Sequence, residues 1–180
     1  TTTILNELIT LMWPFEIIIL TNDKNSGPSY SRNRGWNIAK YDWIAFLDAD
    51  DTWDSNKLEI QLGEMANQNF EFSGHITTFE HKNSVRSTLL TKVYYFKNFL
   101  VKNRVNTPSV IISRHIPLRF DTTLTRAEDY DLWLRVCLAG YPCLFICKGL
   151  CFVHKPLFGA GGLSKSLYLM EKGELHVLLK

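Results

Sequence analysis

The chain has 180 residues, enough for one domain with a sizeable core, and its 46% hydrophobic and 13% aromatic content is that of a folded globular protein. With 20 Lys and Arg against 18 Asp and Glu the net charge is +2, and no basic run with interleaved aromatics occurs, which argues against a nucleic-acid partner. No apolar run reaches the length of a membrane span, and no signal peptide is visible in a sequence that does not begin with Met.

Residues 4–12 (ILNELITLM) place apolar side chains at helical spacing and stop at Trp13 and Pro14. Residues 16–20 (EIIIL) are a β-branched run expected to be a buried parallel strand. Asn25 to Pro28 read as a turn, residues 29–40 as a helix and residues 41–47 as a second buried strand, together a βαβ unit. Ser55 is placed to cap a helix over residues 56–67. Residues 70–79 read as a strand, 93–101 as a helix, and 106–113 end in a strand.

Thr125, Arg126, Ala127 and Glu128 have the capping-box pattern, in which Thr and Glu each satisfy an orphaned helix N–H. The helix behind it carries Tyr130, Trp133, Leu134, Cys137 and Leu138 on one face, which makes Trp133 a core residue; Gly140 and Pro142 stop it. Residues 144–153 form a strand, 157–163 a glycine loop and 166–179 an amphipathic helix. Cys137, Cys143, Cys147 and Cys151 lack the tight pair spacing of a zinc knuckle and read as small buried hydrophobes in a reducing compartment.

This alternation predicts a single-domain α/β fold, a three-layer sandwich around a mostly parallel central sheet, spanning residues 1–165. The amphipathic helix of residues 166–180 follows it, docked on the core by default.

The segment WIAFLDADDTW drives an apolar strand into three carboxylates, Asp48, Asp50 and Asp51. In extended backbone Asp48 and Asp50 share one side while Ala49 faces away. They follow a strand, so they sit at the sheet edge where open α/β proteins bind ligands. Carboxylates so crowded repel unless a cation neutralises them, and Mg²⁺ or Mn²⁺ bridging to substrate phosphates fits. The plainer alternative is an acidic turn in which Asp51 or Asp54 caps the next helix.

Residues 25–53, NSGPSYSRNRGWNIAKYDWIAFLDADDTW, resemble the hallmark stretch of family-two glycosyltransferases with the GT-A fold. In that family a G-P-S-x-A-R-N-x-G helix leads into a strand ending in D-x-D. Gly27, Pro28, Ser29, Arg32, Asn33 and Gly35 match, with Ser31 in place of the usual Ala. The resemblance implies an inverting enzyme that uses a nucleotide-diphosphate sugar, with UDP the commonest nucleotide. It places Asp50 on the metal, Asp48 on the ribose or sugar, and Arg32 near the nucleotide.

RAEDYDLWLRV (residues 126–136) resembles the family's downstream E-D motif and implies Asp129 as the base that deprotonates the acceptor hydroxyl. Glu128 is then an acceptor-binding or structural neighbour, and Asp131 is structural. The helix dipole favours an ionised Asp129 and lowers its basicity, whereas burial or Glu128 would restore it. His154, before the glycine loop, is a candidate metal or diphosphate ligand, with Lys155 a second diphosphate contact; Gly159, Gly161 and Gly162 would let that loop close over the donor.

Two family segments are missing, the opening V-S-I-I-I-P-x-Y-N strand and the D-D-G-S-T-D loop. Leu20 to Asp23 stand where the loop belongs, and omission from a longer protein explains this better than loss, with Asp23 as the tail of the nucleotide loop. The resulting expectation is a metal-dependent transfer to a saccharide or lipid-linked acceptor, in the cytoplasm or, by family analogy, peripherally at the inner face of the cytoplasmic membrane. The rival readings are a sugar nucleotidyltransferase and a non-catalytic nucleotide- or saccharide-binding relative.

Overall fold

The computed structural model describes residues 13–78, 89–154 and 167–180. They contain helices α1 (Gly27–Ile38), α2 (Lys57–Gln68), α3 (Phe96–Phe99), α4 (Glu128–Leu138) and α5 (Leu167–Leu178). The strands are β1 (Trp43–Ala45), β2 (Asp51–Trp53), β3 (Phe72–Thr78), β4 (Thr91–Tyr94), β5 (Ile111–Ser113) and β6 (Cys143–Val153). They form one sheet in the order β1-β5-β3-β6-β2, with β4 also paired to β6. The helix expected at residues 4–12 and the glycine loop at 157–163 lie outside the described residues.

Strand β6 organises the sheet because its eleven residues serve three neighbours. One edge runs parallel to β3, from Leu144 to Phe152. The other edge takes β4 antiparallel at Cys143–Ile146 and β2 antiparallel at residues 151–153. Strand β5 is antiparallel to both β1 and β3.

The α/β class, with helices about one central sheet, is as expected. Within the described residues the parallel pairing is confined to β3 and β6, so the sheet is mixed. Residues 16–20, expected as a buried parallel strand, form no strand, and Ile18 and Leu20 are exposed, while every pairing other than β3 with β6 is antiparallel. Without a strand there, β1 has no second neighbour among the described residues and the expected βαβ unit is not completed.

Two further expectations are corrected. Thr91–Tyr94 is a strand where a helix was expected from residue 93, because its β-branched and aromatic residues ladder onto β6; the helix is only Phe96–Phe99. Helix α2 starts at Lys57 with Asn56 rather than Ser55 at its cap. Asp54 organises that entry, its carboxylate accepting the Asn56 N–H at 2.9 Å and its carbonyl the Lys57 N–H at 3.0 Å.

The core is an aromatic nest beneath α1 and α4. Trp133 stacks on Phe72 at 5.2 Å between ring centroids, Phe46 meets Phe120 at 5.4 Å, and Trp36 meets Phe46 at 5.6 Å. Trp133 is fully buried, so the helical stripe is read correctly as core, although Leu138 at its end is exposed. Asn33 fastens α1 to this nest by a two-way bond to one residue: its amide donates to the Phe120 carbonyl at 2.8 Å and its oxygen accepts the Phe120 N–H at 3.0 Å. All four cysteines are free thiols, and burial pushes Cys137 and Cys151 up to about 12. Helix α5 docks through Val177, buried in the same core.

Strands β1 and β2 lie at opposite ends of the strand order, so residues 46–50 cross the sheet end where β3 and β6 finish and β5 begins. The acidic residues are thereby carried over the middle of that edge.

Close packing at Gly74 gives a direct check. A Cβ there would fall 2.8 Å from Val105 Cβ, whereas Gly63 in α2 faces open space. Gly74→Ala should lower stability by about 1–3 kcal/mol in urea unfolding, whereas Gly63→Ala should raise it by about 0.5–1 kcal/mol.

Candidate active site

The acidic segment is a turn, not extended chain. The Asp51 N–H donates to the Asp48 carbonyl at 3.1 Å, so the strand-like alternation expected of Asp48 and Asp50 does not apply. Asp48 turns inward toward α1, and Asp50 is exposed.

Arg32 on α1 receives Asp48. Its Nη2 donates to Asp48 Oδ1 at 2.9 Å, and its Nη1 donates to Glu128 Oε1 at 3.1 Å. One guanidinium therefore holds the first carboxylate of the D-A-D turn and the first of the E-D pair. The Arg32 and Glu128 side chains are 16% and 12% exposed, so solvent screens this pair little. The guanidinium also lies over the Phe120 ring at 5.5 Å. Burial works against the Arg32 charge, but Asp48, then Glu128 and Asp129, outweigh it and hold its pKa above the ordinary value.

Glu128 reaches Arg32 because the expected capping box does not form. Helix α4 begins at Glu128 itself, and its cap is Ala127, in the left-handed region at φ 54°. Glu128 is then the first helical residue and cannot serve as the third position of a box begun by Thr125. A left-handed Ala costs about 1 kcal/mol, and here it aims the first turn of α4 at the site.

Asp129 is the next residue. Its Oδ1 accepts its neighbour Tyr130 N–H at 2.7 Å, and its Oδ2 accepts from Thr107 Oγ1 at 3.3 Å and Asn103 Nδ2 at 3.5 Å. Burial first, then the charge of Glu128, push its pKa up to about 6, against the Tyr130 N–H, Arg32 and Thr107. The competition left open between helix dipole and burial is thus decided for burial. Asp131 is structural, as expected: it is buried and accepts Arg135 Nε at 2.8 Å.

His154 follows β6 and lies across from the acidic turn through the Asp51–Val153 pair. Its Nε2 is 2.9 Å from Thr52 Oγ1. The Asp51 carboxyl is raised by burial and by the charges of Asp50 and Asp48, and lowered by the His154 backbone. Among the described residues no three His, Cys, Asp or Glu side chains form a metal cage. An ion held by one or two carboxylates and substrate phosphates needs none, and crowded carboxylates beside an imidazole suit such an ion. Lys155 lies outside the described residues.

The structure therefore brings Arg32, Asp48, Glu128 and Asp129 together and sets Asp50 and His154 on the adjoining β2–β6 end. Sequence reading missed Asn103 and Thr107, which contact Asp129. The available signal was a polar NRVNTPS run at the entrance of a fully buried strand.

The family model described as Glycosyl transferase family 2 matches residues 1–122, and the chain belongs to that family. The UDP-Glc:alpha-D-GlcNAc-diphosphoundecaprenol beta-1,3-glucosyltransferase WfgD of Escherichia coli is 32% identical over 137 residues, 73% of this chain and 54% of that protein. The amylovoran biosynthesis glycosyltransferase AmsB of Erwinia amylovora is 26% identical over 150 residues, 76% of this chain and 50% of that protein. The chain thus spans about half the length of these curated relatives. In fold it is similar to crystalline S. aureus TarS 1-349 in complex with UDP-GlcNAc, with a TM-score of 0.62 and 15% identity over 84% of this chain and 45% of that one. The fold is GT-A.

The raised Asp129 carboxyl has a consequence for stability. Its pKa is higher folded than unfolded, so the native state binds its proton more tightly, and ionisation costs stability as pH rises from about 4 through about 6. Asp129→Asn should equal the wild type at about pH 4 and be more stable by about 2 kcal/mol at about pH 8 in urea unfolding.

Proposed function

From its place in glycosyl transferase family 2, we propose that this chain carries the donor turn and the catalytic base of an inverting, metal-dependent glycosyltransferase. It moves a sugar from a nucleoside-diphosphate donor, with UDP as the nucleotide, to a hydroxyl of a saccharide or lipid-linked acceptor. The observation that carries this reading is the Arg32 clasp, which sets Asp48 and Glu128 on one guanidinium with Asp129 beside them. The names of the relatives support the donor and acceptor classes: WfgD uses UDP-Glc and a diphosphoundecaprenol-linked GlcNAc, and the TarS crystal held UDP-GlcNAc.

The reaction is a single displacement. An acceptor hydroxyl gives its proton to Asp129 Oδ2 while its oxygen bonds to the anomeric carbon. The bond from that carbon to the diphosphate breaks, and the nucleoside diphosphate leaves with the electron pair, so the anomeric centre inverts. Asp129, with a pKa of about 6, is mostly ionised at neutral pH yet remains a better base than an ordinary Asp. Thr107 and Asn103 orient the oxygen that receives the proton.

Arg32, expected near the nucleotide, is engaged by both carboxylates, which supports a role in holding Asp48 in place, with Asp48 serving the ribose or sugar. Asp50 and His154 would hold Mn²⁺ or Mg²⁺, which supplies positive charge against the departing diphosphate. Lys155 remains a proposed diphosphate contact. Glu128, held by Arg32, remains a proposed acceptor-binding neighbour of Asp129.

An acceptor on a lipid carrier places the enzyme in the cytoplasm at the membrane face. No described helix is long and apolar enough to cross a membrane. Exposed Tyr168, Leu175 and Leu179 share one face of the C-terminal helical segment, and that face would lie against a lipid surface.

Thermal-shift measurements with UDP-, GDP- and TDP-sugars, with and without Mn²⁺, test the donor and metal together. The expected outcome is stabilisation by a UDP-sugar that depends on Mn²⁺ in the wild type and not in Asp50→Ala. Asp129→Asn should keep that stabilisation while losing at least about 10³-fold in transfer rate, a loss on the scale of general-base catalysis. Retained turnover in Asp129→Asn would refute the assignment of the base.

A further inference from the structure

Beneath the acidic turn lies a buried cation that the reaction above does not use. Lys57, the first residue of α2, is fully buried. Its Nζ donates to Gln61 Oε1 at 2.9 Å and sits 4.2 Å from the centre of the Trp53 ring. Burial pulls its pKa down to about 8. A buried ammonium costs several kcal/mol, and packing alone would be served by an apolar side chain.

The two groups that hold Lys57 do the same thing one residue apart. Trp53 Nε1–H donates to the Pro108 carbonyl at 2.9 Å, and Gln61 Nε2–H donates to the Ser109 carbonyl at 2.9 Å. Gln61 also donates to Ser73 Oγ at 2.8 Å, which fixes its amide on the sheet. Two successive carbonyls of the tight turn Thr107–Ser109 are therefore pinned from α2 and β2 by the neighbours of one ammonium. The first residue of that turn is Thr107, whose hydroxyl donates to Asp129 Oδ2.

We propose that Lys57, Trp53 and Gln61 form a positioning clamp that fixes Thr107 against Asp129 and ties the end of the donor turn to the base across the site. The proposal rests on Asp129 being the base of the reaction above. Trp53 is the hinge of the clamp, because it ends the strand that begins at Asp51 and also bonds the turn that orients Asp129. None of the three touches the reacting atoms. They act through Thr107, whose O–H stabilises the ionised carboxylate and holds Oδ2 while the Tyr130 N–H holds Oδ1.

The test is a carbon-13 NMR titration of the Asp129 carboxyl, which needs neither donor nor acceptor. The groups facing that carboxyl are Glu128 on its own helix, Arg32 on α1, and Thr107 and Asn103 on the segment before β5. Trp53→Phe keeps an aromatic ring beside Lys57 but removes the indole N–H together with the five-membered ring that carries it. It should raise the Asp129 pKa by about half a pH unit or more, the direction expected when a hydrogen bond to the ionised form is loosened.

Thr107→Val should raise it at least as much, and the double variant should equal Thr107→Val alone, because the clamp acts only through that hydroxyl. If Trp53→Phe does not fold, Lys57→Met, similar in length and uncharged, takes its place with the same expected rise. With substrates, either clamp variant should lower kcat about tenfold and move the donor KM less than about threefold, as for a misplaced base. An unchanged Asp129 titration in the folded clamp variant, or shifts that add in the double, would overturn the clamp. Absence of transfer by the wild type would strike the proposed function instead and leave the titration to be read on its own.

Discussion

The site depends on one partly buried positive charge placed between carboxylates from distant parts of the chain. Arg32 lies 16 residues before Asp48 and 96 before Glu128, and it bonds both. Without it, Asp48, Glu128 and Asp129 would be neighbouring anions with no cation between them to offset their repulsion. A guanidinium suits this task because its planar fork offers two N–H groups in different directions and keeps its charge when buried, whereas a lysine offers a single point charge. The fork is held from below: Asn33, its neighbour on α1, grips the backbone of Phe120, and the Phe120 ring underlies the guanidinium. The aromatic nest thus serves both as core and as the floor of the site.

The same charge arithmetic sets the Asp129 carboxyl, the proposed base. Asp129 sits in the first turn of a helix, where its neighbour's N–H and the nearby Arg32 favour ionisation, yet burial and Glu128 win and leave it near 6. A carboxylate so placed is costly to the folded state at neutral pH and useful as a proton acceptor, the exchange of stability for function that active sites commonly show. Ala127 in its left-handed conformation belongs to the same exchange, since it is what directs Glu128 to Arg32 rather than to a capping partner.

Periodicity revealed the long elements well. Helices α1, α2 and α4 and strands β3 and β6 lie close to where apolar spacing put them, and the two acidic groups were visible as carboxylates following apolar or capped segments. What sequence could not reveal depended on partners distant in the chain. Thr125 to Glu128 fits a capping box locally, but Arg32, brought in by the fold, competes for the glutamate. Asp48 and Asp50 alternate only if the chain is extended, and an Asp51-to-Asp48 hydrogen bond makes a turn instead. Residues 16–20 have the composition of a buried strand yet have no ladder among the described residues, because a strand exists only where a neighbour offers its edge. Asn103 and Thr107 were not singled out by sequence pattern, and only their placement across from Asp129 gives them a role.

The most direct test of this account is the pH dependence of kcat/KM for sugar transfer. If Asp129 is the base in the environment seen here, activity should rise with pH along a single acid limb whose midpoint lies at about 6. A rate that stays level from about pH 5 to pH 8, or a limb at the ordinary aspartate value, would contradict it.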